Sequence, residues 1–523
     1  MQKVLIAGEW RDADAASTFQ AHNPNTREAL PEVYPVSSWS DCEAAIASAA
    51  EASIALRTTS GAEVAAFLEA YADGIEARKD DLVEMAHAET ALPVSPRLAD
   101  GELPRTTGQL RQAAAAARDG SWAMPIIDTA TDIRTMFGAI GPVCVFGPNN
   151  FPFAFGSISG GDFAAAIAAG NPVIAKANSS HPGTTRIFAE VAKEAADATG
   201  MPAGMVQLLY RTSHSDGERL VADERIGAIG YTGARNAGLK LKSAADAAGN
   251  PIYLELSSVN PVVILPGALE ERGAELVDEF SGSCLMGTGQ FCTNPGLVLL
   301  LEGDDTNAFI SGVVAKFGEA PVGTLLSEGV ESSLRTNLGT LISAGAELLV
   351  GNTESDDSRY CYANTIVKVS AQQFIDDPET MQTEAFGNSS LFVVASSIEQ
   401  VKAVIESLEG NLTGCVYSHN GGDDDAAYDA IAPSLRTKVG RLLNDKMPTG
   451  VAVSPAMNHG GPFPATGHPG FTAVGIPGAM VRFAALHCYD NIRPQRLPAA
   501  LQDANPNGTL WRSVDGNWTQ ADL

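Results

Sequence analysis

Basic residues are scarce in this chain. Its 34 Lys and Arg stand against 62 Asp and Glu, which gives a formal net charge of −28 at pH 7. Nucleic acids and anionic membranes attract positively charged surfaces, so this charge argues against both as partners. A ligand that carries phosphate would need a locally positive pocket.

Long apolar runs and paired cysteine spacings are also missing. No apolar run reaches the roughly 18 residues that a membrane-spanning helix needs. The start of the chain, residues 1–6, indicates a short strand and contains no signal-peptide core. The seven cysteines are an odd number without a C-x-x-C spacing, a pattern typical of a reducing compartment. We therefore expect a cytoplasmic protein, and the sequence predicts no metal site.

What the sequence does contain is a regular alternation of short apolar runs and helical patterns. With 523 residues, the chain is long enough for two to four domains. Strands are predicted at 141–147, 172–176, 205–210, 226–231 and 251–256. Helices are predicted between them at 157–169, 183–199, 216–223 and 234–248. This order predicts an α/β fold with a parallel, doubly wound sheet.

The segments around this sheet suggest further units. A helical stretch over 38–118 is expected to pack on one face of the sheet, and 121–140 is expected to form a projecting hairpin. A second strand-and-helix region includes strands at 296–301 and 391–395. After residue 480 we expect one helix, a short strand near 489–493 and a loose polar end. The predicted domains are 1–120 with 141–256, then 257–465, with 121–140 and 466–523 as a small β element and tail.

One thiol and one carboxylate stand out as candidate reactive groups. Cys292 lies among small residues in GQFCTNPG, and Glu255 ends the last predicted strand of the first sheet. A nucleophilic thiol must be reachable and ionised, and backbone N–H groups at a helix start would lower its pKa. The simpler interpretations are a buried structural cysteine and an ion pair at a strand end.

Five blocks in order resemble the aldehyde dehydrogenase superfamily, and the resemblance runs from about residue 20 to 495. They are FGPNNFPFAF with Asn150, Tyr231–Gly233, LELSSVNP with Glu255, GQFCTNPG with Cys292, and Glu384–Gly387. The resemblance implies a Rossmann-like cofactor domain (1–120 and 141–256), an α/β catalytic domain (257–465) and a small β element for oligomerisation. It implies a homodimer or homotetramer.

The resemblance also implies catalytic roles. Cys292 would attack the aldehyde carbon to form a thiohemiacetal, and hydride loss would leave a thioester. The amide of Asn150 and the backbone N–H of Cys292 would stabilise the oxyanion. Glu255 would activate water for hydrolysis, which requires a carboxylate with a raised pKa. Asn150 alone is equally explained as a turn residue before Phe151.

A nicotinamide dinucleotide is the cofactor that the resemblance implies. Gly233 and Gly238 open a helix that follows a strand, where N–H groups can receive the pyrophosphate. Glu384 and Phe386 would position the nicotinamide ribose and ring. In place of Ala234 the family usually has serine.

The residues expected to bind the adenosine end of the cofactor indicate NADP, or dual use of NADP and NAD. Lys176 stands where the family binds the adenosine ribose. Ser179 replaces the glutamate with which NAD-preferring relatives repel a 2′-phosphate, and Arg211 is expected nearby. A surface serine near a helix is the simpler interpretation of Ser179.

The candidate substrate residues are Arg105, Phe151 and His459. The segment 105–111, Ser257–Pro261 and the run after His459 resemble the α-ketoglutarate semialdehyde (2,5-dioxopentanoate) dehydrogenases and a related NADP-dependent long-chain aldehyde dehydrogenase. Arg105 would pair with a substrate carboxylate. A surface arginine and an ordinary loop histidine are the simpler interpretations.

Other functions remain open at this point. A protein of this fold without activity would not need Cys292, Glu255 and Asn150 together. A Cys/His hydrolase built on Cys292 and His459 leaves the nucleotide-like sheet unexplained. Transfer of the thioester to coenzyme A is disfavoured by Glu255, and long-chain aldehydes remain an alternative substrate class.

Overall fold

Two seven-stranded sheets with helices packed around them make up most of the molecule. The computed structural model of the chain describes residues 1–353 and 356–523. The N-terminal third supplies outer strands, a group of four helices and the predicted hairpin. Its elements are β1 (Val4–Ile6), β2 (Glu9–Arg11), β3 (Ala15–Phe19), β4 (Tyr34–Ser37), α1 (Trp39–Leu56), α2 (Gly61–Ala77), α3 (Lys79–Thr90), α4 (Leu103–Asp119), β5 (Ile126–Asp128) and β6 (Ile133–Ala139).

The first large sheet confirms the predicted alternation of strands and helices. Its elements are β7 (Val143–Phe146), α5 (Gly161–Ala168), β8 (Val173–Lys176), α6 (Pro182–Thr199), β9 (Val206–Leu209), β10 (Arg211–Thr212), α7 (His214–Val221), β11 (Ala228–Thr232), α8 (Arg235–Ala248) and β12 (Ile252–Glu255). The strand order is β12-β11-β7-β8-β9-β1-β2. The strands from β12 to β9 are parallel, and β1 joins antiparallel to β9.

The helix predicted at 157–169 begins four residues late, at Gly161. The buried carboxylate of Glu102 accepts hydrogen bonds from the backbone N–H groups of Phe153 and Ala154, at 2.9 and 3.0 Å. The Ser159 hydroxyl donates to the carbonyl of Phe153 at 2.7 Å. These bonds hold the preceding residues in turns, so the helix starts only after them.

The second large sheet is also mostly parallel. Its elements are β13 (Val262–Ile264), α9 (Pro266–Leu285), β14 (Leu297–Leu301), α10 (Asp304–Glu319), α11 (Glu328–Ser343), β15 (Glu347–Val350), β16 (Thr365–Ser370), α12 (Ala371–Asp376), α13 (Pro378–Met381), β17 (Ser389–Ala395), α14 (Ile398–Ser407), β18 (Asn411–Tyr417), α15 (Asp425–Lys438) and β19 (Val439–Asn444). The order is β15-β16-β17-β14-β13-β18-β19, in which β15 alone is antiparallel to its neighbour. The strands predicted at 296–301 and 391–395 are confirmed.

The predicted hairpin at 121–140 is confirmed, but the expectation of a loose C-terminal end is wrong. The remaining strands are β20 (Ala484–Asp490), β21 (Arg512–Val514) and β22 (Asn517–Thr519), and the sheet order is β20-β6-β5-β21-β22. The strand near 489–493 lies at Ala484–Asp490, the helical turn Gly478–Phe483 precedes it, and the end of the chain is not loose. Pairing with β5 and β6 orders a segment whose own pattern is polar.

The parallel topology determines where a ligand site can form. In open α/β sheets, ligands bind beyond the carboxyl ends of the strands. The strand β12 ends at Glu255, and β7 leads into the turn that carries Asn150. In the described part of the chain, no helix is both long and apolar enough to span a bilayer.

We predict that Arg512 holds the C-terminal strands in place. Its side chain is fully buried, and Nη2 donates to the carbonyls of Asp503 and Ala521 at 3.1 and 2.8 Å. Arg512→Met removes one charged donor from each of these part-buried carbonyls, and a hydrogen bond to a charged group contributes about 1.5–3 kcal/mol. Hydrogen exchange should show lost protection in the tail strands. Exposed Arg496→Met is the control, and equal protection in both variants would contradict this role.

Candidate active site

Cys292, His459 and Glu255 converge on one point, although they are far apart in the sequence. The Sγ atom of Cys292 lies 3.4 Å from Nε2 of His459. The same Nε2 lies 3.0 Å from Oε1 of Glu255. The side chains of His459 and Glu255 are each only 1% exposed. The imidazole is therefore within proton-transfer distance of both the thiol and the carboxylate.

Cys292 lies in a turn between α9 and β14, not at a helix start. The expectation of a lowered pKa is accordingly wrong for this arrangement. Burial raises the pKa of the Cys292 thiol well above its usual value, and the charge of Glu255 adds to the increase. Both effects disfavour the thiolate, so attack on a carbonyl requires that a neighbouring group take the thiol proton.

Asn150 lies beside the loop that carries Cys292. Its side-chain Nδ2 donates to the backbone carbonyl of Gln290 at 3.0 Å. Its backbone carbonyl accepts a hydrogen bond from the guanidinium of Arg97 at 2.8 Å. The side chain is 6% exposed. These contacts hold an amide donor next to the segment that precedes the thiol.

A cavity of about 910 Å³ opens from the thiol between the two large sheets. Its lining includes the three predicted catalytic residues and three of the predicted cofactor residues: Asn150, Glu255, Cys292, Gly233, Glu384 and Phe386. The volume is at the upper end of the range for cofactor pockets, about 300–1,000 Å³. At Gly238, a Cβ atom would lie 2.5 Å from a methyl group of Leu256, so glycine allows α8 to lie close to the strand end. The residues present fit a dinucleotide.

Glu384 is a half-buried carboxylate on the wall of this cavity. Burial raises its pKa to about 7, while hydrogen bonds from the backbone of Ser258 and the hydroxyl of Ser257 oppose the increase. The group is therefore divided between its neutral and charged forms near neutral pH. In either form its oxygens can accept hydrogen bonds.

Three other predicted cofactor residues lie near the carboxyl ends of β8 and β9 and do not line the cavity: Lys176 ends β8, Ser179 follows it, and Arg211 begins β10. Burial, with a smaller effect from the charge of Arg211, lowers the pKa of Lys176 to about 8. Arg211 is exposed, and its guanidinium carbon lies 5.7 Å from the centre of the Phe19 ring. Ser179 is half-buried in the turn after the strand. The two cations thus act on each other across this edge of the sheet.

Arg105 is not a surface arginine. Its Nη1 donates to the carbonyl of Val451 at 2.8 Å, and its guanidinium lies 5.2 Å from the centre of the Phe155 ring. Burial lowers its pKa, whereas Glu102, Cys292 and Glu255 raise it. Its Nε and Nη2 atoms are buried without a hydrogen-bond partner among the described residues. A cation with unused donors therefore lies near the thiol.

The other two predicted substrate residues are close to this arginine. The ring of Phe155 lies 5.6 Å from that of His459, centre to centre. The ring of Phe151 lies 5.3 Å from the rings of both Phe155 and Phe291. An aromatic wall therefore joins Arg105 to the reactive groups.

Comparisons with known proteins agree with this geometry. Residues 10–455 match the model of the aldehyde dehydrogenase family. The chain belongs to this family. The α-ketoglutaric semialdehyde dehydrogenase 2 of Azospirillum brasilense is 40% identical over 514 residues, 96% of this chain and 97% of the relative. The α-ketoglutaric semialdehyde dehydrogenase of Acinetobacter baylyi is 32% identical over 529 residues, 99% of each chain.

Solved structures share the fold at lower identity. PnpE from Pseudomonas sp. WBC-3, crystallised in complex with nicotinamide adenine dinucleotide, has a TM-score of 0.80 at 22% identity and covers 94% of this chain and 99% of its own. A Burkholderia cenocepacia protein has a TM-score of 0.80 at 21% identity, with 95% and 99% covered. The α/β fold of this aldehyde dehydrogenase is therefore that of its family.

Two residues that position the site of the aldehyde dehydrogenase were not predicted from the sequence. Asn260 has a left-handed backbone (φ 49°), and its Nδ2 donates to the carbonyls of Cys292 and Asn294, both at 2.9 Å. Arg97 forms a salt bridge to Glu102 at 2.8 Å. An asparagine before a proline, in the connection between two strands, is a turn signal that could have pointed to Asn260. No comparable local signal marks Arg97.

We predict that Glu255→Gln lowers the pKa of Cys292. The carboxylate disfavours the neighbouring thiolate, so its neutral amide removes a repulsion that is strong in a buried site. The pH profile of Cys292 alkylation by iodoacetamide should move to lower pH, and the rate at pH 8 should rise several-fold. Glu384→Gln is the control, because Glu384 contributes less to the thiol pKa. An unchanged or higher midpoint in Glu255→Gln would refute this coupling.

Proposed function

We propose that this aldehyde dehydrogenase oxidises α-ketoglutarate semialdehyde to α-ketoglutarate with NADP or NAD. The observation that carries the proposal is the convergence of Cys292, His459 and Glu255 beside a cavity large enough for a dinucleotide. The names of the two relatives and the buried Arg105 support the choice of substrate.

The first step is attack of the Cys292 sulfur on the aldehyde carbon. The thiol proton leaves toward Nε2 of His459 at 3.4 Å, and Glu255 at 3.0 Å stabilises the resulting imidazolium. The Asn150 amide rotates from the carbonyl of Gln290 to the oxyanion. A donor aimed at such an oxyanion contributes about 3–4 kcal/mol.

The bound dinucleotide supplies a hydride acceptor, and the enzyme's residues position it. Gly233 and Gly238 would let the N-terminus of α8 approach the pyrophosphate, and Glu384 and Phe386 would hold the nicotinamide ribose and ring. When the hydride has left, the substrate carbon remains attached to Cys292 as a thioester.

Glu255 completes the cycle by activating water. Its Oε2 is buried without a hydrogen-bond partner among the described residues, so it can accept a proton from a water molecule. Attack of that water on the thioester releases the acid and restores the thiol. His459 holds the other carboxylate oxygen in place.

Arg105 gives the site its preference for a carboxylated aldehyde. A guanidinium binds a carboxylate through two parallel hydrogen bonds, and Nε and Nη2 are the two donors that Arg105 has available. The aromatic rings of Phe151 and Phe155 enclose the carbon chain between this cation and the thiol.

The charge at the end of β8 favours NADP, with NAD as a second cofactor. Lys176 and Arg211 supply positive charge, and Ser179 adds no negative charge that would repel a 2′-phosphate.

We further infer a cytoplasmic homodimer or homotetramer, in which the β element of 121–140 and the tail pairs with another copy.

The contact between Cys292 and His459 also favours a second candidate function, hydrolysis of activated esters. A thiol, an imidazole and a carboxylate in contact are the groups of a nucleophilic hydrolase. Such hydrolysis would proceed without a dinucleotide. Ester turnover in the absence of cofactor therefore separates this activity from aldehyde oxidation.

Steady-state kinetics with Arg105→Met test the proposed function. The substrates are α-ketoglutarate semialdehyde, succinic semialdehyde, glycolaldehyde and a long-chain aldehyde, each with NADP and with NAD. The wild-type enzyme should have its highest kcat/KM with the first substrate and NADP. The variant should raise KM for the carboxylated aldehydes by more than about tenfold, as expected for loss of a charged hydrogen bond, and change the neutral ones little.

Arg111→Met is the matched control on the same helix. Arg111 is exposed and forms ion pairs with Glu76 and Asp73 on the outer face of α2. Equal effects of Arg105→Met on charged and neutral aldehydes would remove the role of Arg105. A wild-type preference for long-chain aldehydes would refute the substrate, and a tenfold preference for NAD would refute the cofactor assignment.

A further inference from the structure

The three reactive side chains of the active site also have the composition of a zinc site. One atom each from Glu255, Cys292 and His459 lies within 4.8 Å of the other two. Thiolate sulfur, imidazole nitrogen and carboxylate oxygen are the ligands that Zn²⁺ takes in proteins. A site with three protein ligands leaves the fourth position for water.

Two of the three distances between these atoms are near those around a tetrahedral ion. Zinc bound at about 2.3 Å to sulfur and about 2.0–2.2 Å to nitrogen and oxygen separates its ligands by about 3.3–3.6 Å. The sulfur of Cys292 is 3.4 Å from His459 Nε2, which is 3.0 Å from Glu255 Oε1. The third pair, the Cys292 sulfur and the Glu255 oxygen, lies within 4.8 Å, so these two side chains would have to approach each other by up to about 1 Å.

Hydrogen bonding among these groups is incomplete, which favours a cation. A single Nε2 atom contacts both a sulfur and a carboxylate oxygen, and one ring N–H can serve only one of them. The second oxygen of Glu255 is buried and has no hydrogen-bond partner within the described residues. Three electron-pair donors thus face one point, and a metal ion satisfies all three at once.

The ion also has a path to this point. Cys292 and Glu255 line the cavity of about 910 Å³, a volume with room for a hydrated ion. We propose that Cys292, His459 and Glu255 bind Zn²⁺ and that this binding reversibly inhibits the enzyme. The zinc–sulfur bond forms as the thiol proton passes to the buffer, so no oxidant takes part.

The inhibition rests on the proposed function, but the binding does not. Binding is therefore measured without aldehyde, on the full-length enzyme titrated with Co²⁺ as a spectroscopic substitute for Zn²⁺. The expected result is one bound ion with a sulfur-to-cobalt charge-transfer band in the near ultraviolet and the visible bands of a tetrahedral ion. Zn²⁺ should displace the cobalt, and EDTA should restore aldehyde oxidation.

Two variants locate the site. His459→Asn should weaken cobalt binding by more than about tenfold, because even the loss of a group that only supports a ligand has an effect of this size. Cys488→Ser is the control: Cys488 is exposed, and its neighbour His487 could form a surface site. This variant should bind cobalt like the wild-type enzyme.

A measurement on the wild-type enzyme guards against misfolding of His459→Asn. Bound Zn²⁺ should slow the alkylation of Cys292 by iodoacetamide, with the modified residue identified by peptide mass spectrometry. The proposal is overturned if cobalt binds without the charge-transfer band, if Cys488→Ser abolishes binding, or if Zn²⁺ leaves the alkylation rate of Cys292 unchanged. Zinc binding in an enzyme that oxidises no aldehyde would refute the proposed function alone.

Discussion

The contact between Glu255 and His459 is the interaction on which the active site depends. It joins the carboxyl end of β12, in the first large sheet, to the segment that follows β19 in the second. Cys292 reaches the same histidine from the turn before β14. Three distant parts of the chain are therefore brought to one point, and each supplies a group that the other two need.

Burial of these groups disfavours the thiolate of Cys292 and also strengthens electrostatic interactions with the substrate. A thiol beside a carboxylate in a site of low polarity has a raised pKa, and this keeps Cys292 protonated in the resting enzyme. The same burial strengthens every interaction with charge that develops on the substrate. His459 contacts both Cys292 and Glu255, so it can take the proton that the thiol releases when it attacks the substrate.

Local patterns made the first sheet predictable. Its strands are short apolar runs separated by alanine-rich helices, and Glu255 ends its strand as expected. The ordered tail was not predictable, because β21 and β22 depend on pairing with β5 and on the buried Arg512. Periodicity reports local structure, whereas these contacts span several hundred residues.

In the active site, too, some residues could be predicted from local sequence patterns and others could not. Cys292 and Asn150 belong to short sequence motifs, so both could be predicted as site residues from the sequence. The roles of Arg97 and Asn260 depend on which carbonyl each side chain reaches, which no local pattern records. The buried state of Arg105 was likewise hidden, because its partner Val451 lies 346 residues away in the sequence.

The central claim is that Cys292 carries the substrate as a thioester, which Glu255 helps water to hydrolyse. Intact-protein and peptide mass spectrometry of Glu255→Gln, quenched after mixing with α-ketoglutarate semialdehyde and NADP, tests it most directly. The account predicts that the variant accumulates the mass of the acyl group on the peptide that contains Cys292. Formation of reduced cofactor with no such adduct, or with the adduct on another residue, would contradict it.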